Sequence, residues 1–354
     1  MHSVFLVGNG FDMAAGLKTA PKLFLKHVLE ISQSADAGPG AKGLAASIKK
    51  DVSAWSDYES QIGAHAAAFG EGQADEYLEQ ASDLCNLLGE WLLEKEELVS
   101  SEFVGSNAAG CMASMASFQR QLPELQYRMF EDVRRNRAHE DWHFDVACFN
   151  YTSLMRRMYE SAGGRGAILR GLGSANCRLG NFIQVHGSLE SDEIICGVDN
   201  AGQIANEAFA SDCSVTKFLV KGETEREVNA RERDHEGLDL IASADIICIY
   251  GMSFGASDAR WWSAVRSRMV ENQNTLLVLF SYKMATAPKT FSAYRRGKLV
   301  DEVIDSFLLA SGGLEESDSI RGRIIATESG KVFPFNTQLE DRQDERASHE
   351  QLGQ

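Results

Sequence analysis

The chain has 354 residues, 44% of them apolar and 24% charged, which supplies a real core for one large or two ordinary domains. Its formal net charge of −16 argues against broad nonspecific binding to nucleic acid or to an anionic membrane, since either needs a basic face, but it leaves room for a local basic pocket. No segment approaches the roughly 20 apolar residues of a membrane span, and the seven cysteines include no C-x-x-C pair, so neither a structural zinc site nor a disulfide scaffold is expected.

The first element is the run Val4-Phe5-Leu6-Val7, short, unbroken and β-prone, as expected for a strand buried on both faces of a parallel sheet. Gly8-Asn9-Gly10 follows, where glycines permit unusual backbone angles and let a ligand approach the main chain. Asp12 to Ala15 then opens a helix whose free N–H groups suit an anion. Strand, glycine loop and helix suggest a nucleotide. The third glycine of the common dinucleotide fingerprint is replaced by Met13, and Asp12 suits a helix cap or a ribose hydroxyl better than a pyrophosphate. Gly8 also interrupts the apolar run too early for a secretory leader, so a cytoplasmic protein is expected.

From residue 22 to residue 140 the pattern is helical. Tyr77, Leu78, Ala81, Leu84, Cys85, Leu88, Trp91 and Leu92 form an amphipathic stripe, and the block is too long for a simple crossover, so it is read as a helical insertion. WSDYE (55–59) lies within it, either covering a pocket or anchoring the insertion. Short β-prone runs return at 144–150, 181–187, 193–199, 245–251, 275–281 and 323–329, alternating with helical candidates. This predicts an α/β, Rossmann-like, doubly wound parallel sheet over residues 1–21 and 141–335, with 22–140 inserted. The stretch KGETEREVNARERDHE (221–236) reads as a solvated helix face, and 336–354 as a disordered acidic tail.

Ligands collect outside the carboxyl ends of strands in such sheets. Those ends carry Gly8–Asp12, then Asn150-Tyr151-Thr152, then His186-Gly187-Ser188, then Gly251-Met252-Ser253 with Asp258. Each also has a plain alternative: Asn150 as a helix cap, His186 as a satisfied strand-end histidine, Gly251 as a turn residue, Asp258 as the cap of DARWWSAV.

The ordered set GNGFD with GL-x-T, WSDYE, FNYT, VHGSL with GVDN, and YGMSFGASDARWW resembles the bacterial abortive-infection AbiH family of phage-defence proteins. More distantly, VGNGFDMAAGLKTAPKLF resembles the first nucleotide loop of sirtuins, and a strand-end Asn followed by a separate His-Gly is the sirtuin-like arrangement. The zinc ribbon of sirtuin deacylases is missing. The resemblance therefore implies antiphage function with NAD as the substrate of a glycohydrolase, without a metal.

In that reading Asn150 and His186 are catalytic, while Gly8, Asn9, Gly10, Phe11, Asp12, Tyr151, Gly187, Gly251, Ser253 and Asp258 bind the nucleotide. Asn150 offers both a donor and an acceptor, and His titrates near neutral pH. The alternatives are a non-catalytic nucleotide sensor acting through a partner, and a nuclease, which the acidic balance disfavours. A phage-derived trigger, a defence partner protein and a homo-oligomer are candidate associations; a membrane is not.

Overall fold

The computed structural model describes all residues except 36, 53, 138–140, 170–175, 192, 222–227, 316–317, 337–338 and 340–354. The opening apolar run is β1 (His2–Val7), followed by a single helical turn and a half, α1 (Gly10–Ala14). Up to the next strand the chain is helical: α2 (Pro21–Ile31), α3 (Pro39–Lys50), α4 (Tyr58–His65), α5 (Ala74–Glu96), α6 (Ser101–Met115) and α7 (Glu124–Asn136). Then come β2 (Trp142–Cys148), α8 (Leu154–Ser161), β3 (Ile168–Leu169), β4 (Cys177–Gln184), β5 (Gly187–Ser188) and β6 (Glu193–Ile194). The remainder runs α9 (Glu207–Ala210), α10 (Cys213–Leu219), α11 (Val228–Ser243), β7 (Ile246–Tyr250), α12 (Ala259–Glu271), β8 (Leu276–Ser281), α13 (Tyr282–Thr286), α14 (Ala293–Ala310), α15 (Asp318–Arg321) and β9 (Ile324–Glu328).

Seven strands form one sheet in the order β3-β4-β2-β1-β7-β8-β9, parallel throughout except for the antiparallel β3–β4 edge. The alternation of side chains along β1 explains its unbroken hydrophobicity. Phe5 and Val7 enter one core with α6, α7 and α8, whereas Val4 and Leu6 enter another with α11, α12 and α14. Both faces of the sheet are thus covered by helices. The run at 193–199 is not a strand of this sheet; it shrinks to β6, which pairs only with β5 in a small hairpin.

A third core joins α2, α3, α4 and α5 to residues 189–220, with Phe24, Trp55, Tyr77, Leu88, Phe209 and Leu219 at its centre. Tyr151 and Leu189, just past the ends of β2 and β5, belong to it, so this core sits at the carboxyl edge of the sheet. The helical block before β2 is therefore shared: α6 and α7 layer the sheet, while α2–α5 overhang its edge.

Two expectations for polar segments fail at single residues. Lys221, the first residue of the stretch expected to be a solvated face, is buried, as is Asp234 further along it. The tail from 336 lies mostly outside the described residues, but Leu339 is buried and its N–H donates to the Ala15 carbonyl (3.0 Å). Among the described residues no helix is long and apolar enough to cross a membrane.

Candidate functional site

The chain passes from β1 to β2 on one side and later returns to β7 on the other, so the strand order reverses between β1 and β7. A crevice opens at such a point because the two loops leave in opposite directions. Here it is a cavity of about 1170 Å³, larger than a mononucleotide needs. Gly8, Asn9, Gly10, Asp12, Asn150, Tyr151, His186, Gly251, Ser253 and Asp258 all line it. Four separate strand ends converge as expected. Phe11 and Gly187 do not line it: Phe11 is buried in the sheet core against Phe333 and Phe335, and Gly187 begins β5.

The glycine loop is built differently from the expectation. A Cβ on Gly10 would lie 2.4 Å from the Cα of Gly251, and one on Gly251, which has φ +67°, would lie 2.7 Å from the Cα of Gly10. The two glycines permit the β1 and β7 loops to approach each other. The Gly8 N–H donates to the Tyr250 carbonyl (2.9 Å) and the Gly10 N–H to the Gly251 carbonyl (2.8 Å), so neither is directed at a ligand. Asn9 staples the loop from inside: its Nδ2 donates to the Thr19 carbonyl (2.7 Å) and its Oδ1 accepts from Thr19 Oγ1 (2.6 Å).

Asp12 is buried and accepts from Asn150 Nδ2 (3.0 Å) and Thr152 Oγ1 (2.6 Å). Burial lifts its carboxyl from 3.8 to about 7; the two hydrogen bonds pull against that, and the nearby Glu96 adds to it. Asn150 is therefore held by Asp12, not used as a helix cap, and α8 instead starts after Ser153. Among the described residues the buried Asn150 Oδ1 has no hydrogen-bond partner, an expensive state for a carbonyl unless a ligand or water completes it.

Beside this pair lies a buried ionic chain. Lys221 Nζ donates to Glu59 Oε2 (2.9 Å), to Asp258 Oδ1 (3.1 Å) and to the Ser257 carbonyl (3.2 Å). Burial pulls the Lys221 ammonium down, but Asp258 and Glu59 outweigh it and hold the group charged well above its ordinary value. Burial likewise pushes Asp258 up, and the Lys221 ammonium, with His186 beside it, reverses this, keeping the carboxylate ionised far below its usual range. His186 Nε2 stands 3.3 Å from Asp258 Oδ1, at ion-pair distance but off the line of a hydrogen bond. Glu59 Oε1 accepts from the Tyr151 hydroxyl (2.6 Å), and the Tyr151 ring lies 6.1 Å from that of His186.

Asp258 thus serves the ionic chain, with no side-chain bond capping α12, although it stands at the cap position. Within WSDYE the roles divide: Trp55 anchors the third core, Asp57 caps α4 through the Ser60 N–H (3.1 Å), and Glu59 reaches the site. Lys221 is the residue that the sequence hid. The apolar pair Leu219-Val220 before it was its one signal, since both are buried as the chain turns inward. A further wall comes from Ser329–Phe335, where Phe333 adopts φ +55° and donates its N–H to Ser114 Oγ (2.9 Å).

Fold and site define an α/β protein with a ligand-sized crevice at the switch point of a seven-stranded, mostly parallel sheet. The chain belongs to the AbiH family: the model described as "Bacteriophage abortive infection AbiH" matches residues 4–280, which include the crevice residues at the ends of β1, β2, β4 and β7. A role in abortive infection against phage comes with that membership. A search of the curated proteins gave no match.

Proposed function

We propose that the crevice binds NAD and hydrolyses its nicotinamide–ribose bond, within a Rossmann-like, distantly sirtuin-like frame. The observation that carries this reading is Asn150: its Nδ2 is fixed by Asp12 while its buried Oδ1 has no partner among the described residues, past the end of β2 on the cavity that His186 also lines. A fixed, unsatisfied acceptor is what a ribose hydroxyl or an attacking water would complete.

In the reaction, the bond between ribose C1′ and the nicotinamide nitrogen breaks and its electron pair leaves with neutral nicotinamide. The sugar passes through an oxocarbenium-like state. Water adds to C1′ and loses a proton to His186, giving ADP-ribose. Asp258, 3.3 Å from Nε2, stabilises the imidazolium that forms. Asp12, with its carboxyl near 7, carries only part of a charge at neutral pH and so repels a pyrophosphate less than an ordinary aspartate. Because the Gly8 and Gly10 N–H groups are engaged, we assign the phosphate contacts to the hydroxyls of Ser253 and Ser281, which line the cavity.

Incubating the purified protein with NAD and measuring free nicotinamide tests the reading. Release that depends on both Asn150 and His186 supports it. Binding of NAD without release would instead make the crevice a sensor that acts through a partner.

A further inference from the structure

Between β8 and the body of α14 the chain reads Tyr282-Lys-Met-Ala-Thr-Ala-Pro-Lys-Thr-Phe-Ser-Ala-Tyr-Arg-Arg-Gly-Lys298. It holds five cations, Lys283, Lys289, Arg295, Arg296 and Lys298, and no carboxylate, in a protein whose net charge is −16. Three aromatic rings are interleaved with them. Phe291 is 99% exposed, Tyr294 78% and Tyr282 71%. A single exposed aromatic is ordinary, but three within thirteen residues on a basic segment are not.

The placement of the charges adds a second argument. α14 begins at Ala293 after the cap Ser292, has 18 residues, and carries no acid in its first turn. A helix amino end is already electropositive, and carboxylates are the residues that normally stabilise it. Arg295 and Arg296 instead add positive charge there, with Lys298 one turn further on. That arrangement costs stability in the free protein and is relieved by an anion. Among the described residues Lys283 is tied to Glu302 at 2.5 Å, and Lys298 also acts on that carboxylate. Glu302 offsets part of the patch, but the acidic balance of the rest of the chain does not cancel it, since charges beyond about 8 Å are largely screened at physiological salt.

We propose that the segment Tyr282–Lys298 is a docking surface for single-stranded nucleic acid. Cations tracking the phosphates with exposed rings for the bases to stack upon is the chemistry of sequence-tolerant single-strand binding. A duplex hides its base faces and leaves the rings unused; an anionic lipid surface takes both the charge and the rings, and vesicle binding is the contrary outcome of the test below. Tyr282 and Lys283 also line the crevice, so a bound strand lies at its entrance. The surface is independent of the chemistry proposed inside the crevice.

The test is fluorescence anisotropy of the full-length protein with labelled 20-nucleotide oligo-dT and oligo-rU. Binding is expected at 50 mM salt, with an affinity that falls on the order of 50-fold by 200 mM as four or five phosphate contacts are released. The charge reversal Lys289→Glu/Arg295→Glu/Arg296→Glu should abolish binding. Phe291→Ala/Tyr294→Ala should weaken it at least tenfold without changing the salt slope. All five positions are exposed, and circular dichroism confirms that the variants fold. No binding to either strand overturns the proposal. So does equal affinity for a duplex with no effect of the two aromatic substitutions, or binding confined to phosphatidylserine vesicles.

Discussion

Asn150 donates through Nδ2 to Asp12 Oδ1 at 3.0 Å, joining the end of β2 to the first loop of the chain across 138 residues of sequence. With Asp12 ionised the contact fixes which way the amide faces, because a carboxylate can only accept. It also sets the chemistry on both sides: the Asn150 oxygen is turned away unpaired, and the Asp12 carboxyl rises to about 7.

Asp12 makes stability depend on pH with a definite sign. Its folded value lies above 3.8, so the folded chain binds the proton more tightly than the unfolded chain. Stability is therefore greatest below about 4 for this group and falls as pH rises through about 7, by an amount on the order of 4 kcal/mol. Asp12→Asn removes that slope, since Asn150 can flip to offer its oxygen. Urea unfolding at pH 5 and pH 8 should show the wild type losing stability relative to Asp12→Asn. Parallel behaviour of the two proteins would mean that Asp12 is ionised throughout.

Lys221 should be among the most sensitive positions in the molecule. Lys221→Met leaves Glu59 with the Tyr151 hydroxyl alone and Asp258 with His186 alone, both without their cation, and breaking such a buried network typically costs ~3–5 kcal/mol. The double variant Lys221→Met/Glu59→Gln removes one of the stranded charges and should recover part of the loss. A single-variant cost below about 1 kcal/mol in denaturant titration would show that water reaches the pair.

Gly10→Ala is expected to destabilise the fold, by roughly 1–3 kcal/mol, because the added methyl meets the backbone of Gly251, which cannot rotate away. Gly251→Ala adds the strain of a positive φ and should be worse. Thermal unfolding checks both. Unchanged midpoints with lost ligand binding would return these glycines to the role of letting a ligand approach the backbone.

That reversal marks where the sequence was legible and where it was not. The run Val4–Val7 betrays a doubly buried strand because both faces of β1 meet helices, and the convergence of Asn150 and His186 follows from the parallel-sheet rule alone. The meaning of Gly10 depends on β7 lying beside β1, a register that hydrophobic pattern cannot supply. Lys221 was hidden because a lysine at the head of a charged run looks solvated until Glu59, 162 residues earlier, is known to face it. Phe11 misled for a related reason: adjacency to a ligand loop says nothing about which way a ring turns, and this one packs on Phe333.

Asn150→Ala and His186→Ala should each lower NAD hydrolysis by ~10²–10⁴-fold. Their combined effect should be far smaller than the product of the two, since one step uses both. Asn150→Ala leaves Asp12 with Thr152 alone, so a stability cost of ~1–2 kcal/mol accompanies it. His186→Ala also deprives Asp258 of one charge partner. Single-turnover rates on folded protein separate the catalytic effect from the structural one. Additive losses would assign the two residues to different steps.

The most direct test of NAD hydrolysis as the defence reaction is the cellular NAD concentration followed through a phage infection, in cells carrying the wild type, Asn150→Ala or His186→Ala. NAD should collapse only with the wild type, before lysis, and only those cells should restrict the phage. A level NAD concentration in wild-type cells that still block the phage would contradict the glycohydrolase reading outright.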